Sequence, residues 1–190
     1  MKIRDFVRQL GIPIFATAQA VRVVGEDEQK HLNIQLSRWI RSGQVERVKR
    51  GLYIVADQAI DELAIAHSIY PSSYVSMESA LNLAGIMPDI TAEVTSVVTG
   101  KPRKYQTRYG IFSYSKVQKD LYFGYTPQIT GKLVYYLAVP EKALLDLIYV
   151  RRVRDLSEMR VDWGKLNKHL ITNMVSKYPV WVRKEIKKYV

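Results

Sequence analysis

The stretch GQVERVKRGLYIV, residues 43–55, decides how the N-terminal part of this chain is read. Val45 to Val48 and Leu52 to Val55 have the composition of two short strands. Gly51 between them can take positive φ without a steric penalty. A surface hairpin more often turns on Asn-Gly or Asp-Gly. Here the bend is bracketed by Arg47, Lys49 and Arg50, so it is either a solvated loop or a finger directed at phosphate. What precedes it separates the two.

Three short helices are expected before the hairpin. Ile3, Phe6, Val7 and Leu10 recur at helical spacing and stop at Gly11-Ile12-Pro13. A second helix runs from Ala18 to Val24, with Thr17 as its N-cap and Gly25 as its stop. The third is expected from Glu28 to Ser42, with Leu32, Leu36, Trp39 and Ile40 along its core side. At about 100° per residue, Lys30, Ile34, Arg38 and Arg41 point the other way, with His31 and Gln35 on the flank. A solvated face mixes both signs of charge and avoids Ile. This one is basic beyond its first turn and carries a branched aliphatic of the kind that meets a thymine methyl. Helix, helix, turn, helix and a hairpin with a basic bend is the order of a winged helix-turn-helix. In that fold the third helix enters the major groove, the second crosses the backbone and the wing reaches phosphate or the minor groove. The expected DNA-binding residues are therefore Lys30, His31, Ile34, Gln35, Arg38, Arg41, Arg47, Lys49 and Arg50. Winged helices also dock proteins, which is the competing reading of this unit.

Composition agrees with a nucleic-acid partner. The 190 residues are 47% hydrophobic and 25% charged, enough for one large or two small ordered domains. The absence of cysteine excludes a disulfide framework and a thiolate metal site. No apolar run approaches the roughly 20 residues that span a bilayer, and MKIRDFVRQL lacks the apolar core of a secretory signal. A soluble cytoplasmic protein is expected. The net charge of +11 is unevenly placed: residues 1–56 carry +5, residues 57–150 carry −1 and residues 151–190 carry +7. Two basic ends around a neutral middle point to a polyanion. An anionic membrane is the weaker reading, because neither end forms a long basic amphipathic helix with a broad apolar face.

Residues 57–190 read as a small α+β domain with a mostly antiparallel sheet, following a DNA-binding domain over residues 1–56. Helices are expected from Ala59 to Ile69, from Met77 to Ala84 with Ser76 as N-cap, and from Pro140 to Val150. Strands are expected over residues 92–99, 111–117, 121–125 and 132–139, and two further helices over residues 162–171 and 180–189. The stretch KPRKYQTRYG, residues 101–110, reads as a solvated loop leading into a strand. Its interleaved cations and tyrosines leave an RNA or single-strand contact as the alternative. The segments VRRVRDLSEMR (150–160) and WVRKEIKKYV (181–190) read as solvated helix faces, or as auxiliary phosphate contacts if they lie beside the wing.

No catalytic constellation stands out. His31, His67 and His169 are far apart, and no HExxH, phosphate-cradling glycine loop or G-x-S-x-G elbow occurs. Asp146 lies among Leu144, Leu145, Leu147 and Ile148, where a lone ionised carboxylate is costly. It is expected to face outward or to pair with an arginine or the helix start at Ser76. The alternative is a site shared with Glu141 or Glu78. No enzyme, metal or cofactor is expected.

The runs LSRWIRSGQVERVKRGLYIV (36–55), YVSMESALNLAGI (74–86) and LAVPEKALLDLIY (137–149), in this order, resemble the AbiEi-type antitoxins of bacterial type IV toxin–antitoxin systems. The resemblance covers residues 1 to about 150. It implies an N-terminal winged helix that binds operator DNA, an inverted repeat, and represses its own operon. It also implies a C-terminal domain that counteracts a nucleotidyltransferase-type cognate toxin. The antitoxin motif then comprises Ser76, Glu78, Ser79, Glu141, Lys142 and Asp146. Two other functions compete: a regulator whose second domain senses a small molecule, and an RNA-binding protein.

Overall fold

Gly11, at φ +74°, ends α1 (Ile3–Leu10) and donates its N–H to Val7, so the chain can reverse into β1 (Ile14–Ala16). The computed structural model describes residues 1–88, 91–157 and 159–190. After β1 come α2 (Thr17–Val24), a single 3₁₀ turn (Glu26–Glu28), α3 (Gln29–Arg41), β2 (Val45–Lys49) and β3 (Leu52–Val55). The three strands form an antiparallel sheet in the order β1-β3-β2. Thr17 is the first residue of α2 rather than its cap. The helix start is closed instead by the Gln19 side chain, which accepts from the Ala16 N–H at 2.8 Å.

The run Leu52-Tyr53-Ile54-Val55 is buried at every position, which is what an unbroken apolar strand implies. Alternation sends its two sets of side chains to different cores. Tyr53 and Val55 join Phe6, Phe15, Leu32, Leu36 and Trp39 beneath the helices. Leu52 and Ile54, with Ile14 and Val48, join Leu63, Ile65, Ile69, Val98, Phe112 and Tyr114 of the remainder of the chain. One apolar cluster therefore crosses residue 56.

Beyond it lie α4 (Glu62–Ile69), β4 (Ser73–Val75), α5 (Met77–Leu83), β5 (Glu93–Val98), β6 (Arg103–Thr107), β7 (Gly110–Lys116), β8 (Tyr125–Thr130), β9 (Leu133–Ala138), α6 (Pro140–Arg151), α7 (Lys168–Val175) and α8 (Val180–Ile186). The α+β reading holds, and three of the five strand pairings of the second sheet are antiparallel, but the sheet is mixed. Its order is β6-β7-β5-β4-β9-β8, and β5–β7 and β4–β9 are parallel. Polarity is the cause. Each hairpin, β6–β7 and β8–β9, docks by its second and more apolar strand. Polar RKYQT and Pro127-containing YTPQIT are left at the two edges, where unpaired backbone and proline are tolerated. β7 runs parallel to β5, and β9 parallel to β4.

Two local expectations change with it. Residues 103–107 are a strand, not a loop, and the strand expected over 121–125 is displaced to Tyr125–Thr130 behind a 3₁₀ turn at Lys119–Leu121. Gly124 is required there. A Cβ on it would stand 3.1 Å from the buried Lys142 side chain, and its φ is +72°.

Candidate nucleic-acid interface

α3 divides as its periodicity predicts. Leu32, Leu36 and Trp39 are buried, whereas Lys30, His31, Arg38 and Arg41 are exposed and Gln35 is half-buried. Ile34 stands 51% exposed among them. His31 shares a hydrogen bond with Glu28 at 2.8 Å across the helix start. The exposed side borders a groove of about 590 Å³, lined by Met1, Val23, Val24, Ile34, Arg38 and others. Thirteen residues at about 1.5 Å each give a rod of about 20 Å, which the roughly 12 Å wide major groove admits.

Gly43 at φ +72° closes α3 and turns the chain into β2. The hairpin bends at Arg50-Gly51, with Gly51 at φ +80°. The Gly51 carbonyl accepts from the Thr17 N–H at 3.0 Å, so the bend is moored to the start of α2. Arg50 is exposed at the tip. Arg47 is exposed with its guanidinium 5.9 Å from the Tyr53 ring.

Lys49 departs from the free-finger picture. It is half-buried, its Nζ lies 5.3 Å over the Tyr105 ring, and burial, then the neighbouring Arg103, holds its amine below the ordinary lysine range. Sequence reasoning missed this contact. The signal was present in the basic and aromatic KPRKYQTRYG stretch, but spacing does not say what a side chain packs against. Its tyrosines are engaged inside the molecule. Tyr105 also meets Tyr114 edge-on at 6.0 Å, and Tyr109 donates to Glu46. Two of its cations are paired, Lys104 with Glu93 at 2.6 Å and Arg108 with Glu46 at 3.0 Å.

The six residues attached to the antitoxin motif fall into separate settings. Ser76, Lys142 and Asp146 converge in a closed network. Lys142 and Asp146 are wholly buried and paired. Asp146 also accepts from Ser76 at 2.8 Å and from the hydroxyls of Tyr74 and Tyr178 at 2.9 Å each. Ser76 thus serves the carboxylate rather than capping α5 with its side chain. The partner of Asp146 is a lysine one turn earlier, not an arginine. Phe123, Tyr74 and Tyr178 surround the Lys142 amine at 5.0–5.5 Å, and burial holds that amine below its usual range despite Asp146. Such a satisfied pair is an internal joint between β4, α5, α6 and the segment before α8. The other three face elsewhere. Glu78 takes Arg151 through both oxygens at 2.7 and 3.2 Å. Ser79 exchanges hydrogen bonds with Thr95. Glu141 accepts from the Asn167 N–H at 2.8 Å.

Of the basic C-terminal segment, Arg151 is bound to Glu78 and Arg154 stacks 4.3 Å over Trp181; Glu158 lies outside the described residues. Among the described residues no three His, Cys, Asp or Glu stand close enough together to hold a metal ion. No described helix is long and apolar enough to cross a membrane.

No curated protein matches this chain. Residues 1–56 match the model of a family described as "Transcriptional regulator, AbiEi antitoxin". This is the family that the three motifs resemble, and the match covers the helical unit with its hairpin.

Proposed function

We propose, from that match and from the exposed basic side of α3, that this protein is a DNA-binding repressor that also acts as an antitoxin. In this reading residues 1–56 are a winged helix-turn-helix. α3 lies in the major groove with Arg38 and Ile34 toward base edges, α2 crosses the backbone and Arg50 of the wing contacts phosphate. The operator is double-stranded DNA upstream of the protein's own operon, and repression there is autoregulatory. Residues 57–190 oppose a nucleotidyltransferase-type toxin encoded alongside, without chemistry of their own.

The observation that carries the reading is the conjunction, in the family-matched unit, of helix, turn, helix, hairpin and an exposed side of α3 that carries no acid within the helix itself, Glu28 lying just before it. The RNA reading loses support because both tyrosines of its candidate stretch are engaged internally. The test has two arms. A gel shift with the protein's own upstream DNA against random duplex of equal length is expected to show preferential retardation of the former. Co-expression with the adjacent toxin gene is expected to restore colony counts. Equal retardation of both duplexes removes the repressor half, and no rescue by folded protein removes the antitoxin half.

A further inference from the structure

Glu46 is the one acidic residue of β2, and a strand directed at phosphate has no evident use for it. It is drawn into the second unit. Its carboxylate accepts from Arg108 Nη1 at 3.0 Å and from the Tyr109 hydroxyl. Near the other end of the same strand, Lys49 rests on the Tyr105 ring at 5.3 Å. Between them Val48 is buried in the shared cluster against which Tyr105 and Tyr109 also pack. β2 is the edge strand of its sheet, with no strand beyond it. From the β6–β7 hairpin, the side chains of Arg108, Tyr109 and Tyr105 reach it.

We infer that the β6–β7 hairpin positions the wing: Arg108 and Tyr109 hold Glu46, Tyr105 seats Lys49, and the tip residue Arg50 is thereby fixed relative to α3. The inference rests on the DNA reading above. β3 is held by β1 and the bend by Thr17, whereas β2 has no strand on its outer side, so that edge is steadied by these side-chain contacts. A wing that must be ordered on contact loses affinity for each side chain it immobilises. Holding it from the second unit removes that loss before DNA arrives. Glu46, Arg108 and Tyr109 are then positioning residues that act through the wing.

The sign of one substitution separates this from simple charge. Glu46→Ala removes a negative charge beside the wing, so Coulomb attraction alone predicts tighter DNA binding with a steeper salt dependence. The positioning role predicts weaker binding, by roughly three- to tenfold, on operator and random duplex alike. Tyr109→Phe, which changes no charge, is expected to weaken binding in the same direction by a smaller factor. Fluorescence anisotropy on labelled duplexes reads both, with full-length variants first shown to be folded by circular dichroism. Arg38→Ala is the control. Tighter binding by Glu46→Ala, or binding unchanged in Tyr109→Phe, overturns the clamp if Arg38→Ala still weakens binding. If wild type itself shows no affinity for duplex, the DNA reading fails and the clamp's role falls with it.

Discussion

Arg38 stands on the exposed side of α3, beside Ile34 and one turn before the C-terminal Arg41. Arginine makes bidentate contacts to guanine more often than any other specific base contact. Arg38→Ala is therefore expected to weaken operator binding by about 1–3 kcal/mol and to relax base preference at one position. Titration against single-base operator variants checks it, and an unchanged preference profile removes this side from base readout. Asp146 makes the opposite kind of prediction, on stability. Removing it leaves Lys142 buried with its charge unpaired, at a cost of about 3–5 kcal/mol. The double change Asp146→Leu, Lys142→Met is expected to cost less than the sum of the singles, because the orphaned charge goes with it. Urea unfolding of the three variants measures the coupling, and additive costs would show that the pair does not act as one. Both residues could be picked from sequence, but the setting of Asp146 could not. Asp146 was expected to face outward or to find a partner, and it is buried, while Tyr178 arrives from a part of the chain whose sequence signals nothing of the kind.

At the scale of elements, the hairpin's cations are not equivalent. Arg50 projects from the tip, whereas Lys49 is half-buried on Tyr105. Arg50→Ala is expected to make the salt dependence of DNA binding shallower by roughly one unit, the release of one phosphate's counterions. Lys49→Ala is expected to change the slope by less. Equal slopes for the two variants in a salt titration would place Lys49 on the DNA as well. The helix and hairpin themselves were legible from residues 28–55, since periodicity, a terminal glycine and two apolar runs are local properties. β6 was not. Its polar, cation-rich sequence forms a strand because β7 offers it an edge on which to pair, and edge strands are allowed to be polar. The mixed sheet escaped for the same reason, because the parallel pairs follow from which hairpin strand docks, a choice made between distant segments.

For the molecule as a whole, the cluster joining Ile14, Val48, Leu52 and Ile54 to Leu63, Phe112 and Tyr114 makes the two units depend on one another. Alkaline titration exposes this. Burial pushes the phenols of Tyr74, Tyr114 and Tyr178 far above the ordinary value of 10.0, and burial with the Glu46 contact pushes Tyr109 up to about 12. The unfolded chain then holds fewer protons than the folded one above pH 10, so the stability present below that pH falls as pH rises through it. Lys142 works the other way, its lowered folded value favouring the folded state as pH rises toward the ordinary lysine range, but it adds nothing beyond that range. The part of the tyrosinate absorbance that belongs to these buried rings is expected to rise together with the loss of ellipticity above pH 10, in one transition. Ionisation of all the tyrosines near pH 10 with the fold intact would contradict the burial of these rings. By itself the sequence determined the three helices and the hairpin of the N-terminal unit and the exposed basic side of α3, because each rests on residues within a few positions of one another, while β1 (Ile14–Ala16) was not read. Only the tertiary structure decided that Lys49 and Glu46 belong to an inter-unit contact, that Asp146 pairs with Lys142 under two tyrosine hydroxyls, and that each hairpin enters its sheet by the second strand. Those outcomes depend on which distant surfaces exclude water together, and no local periodicity encodes that.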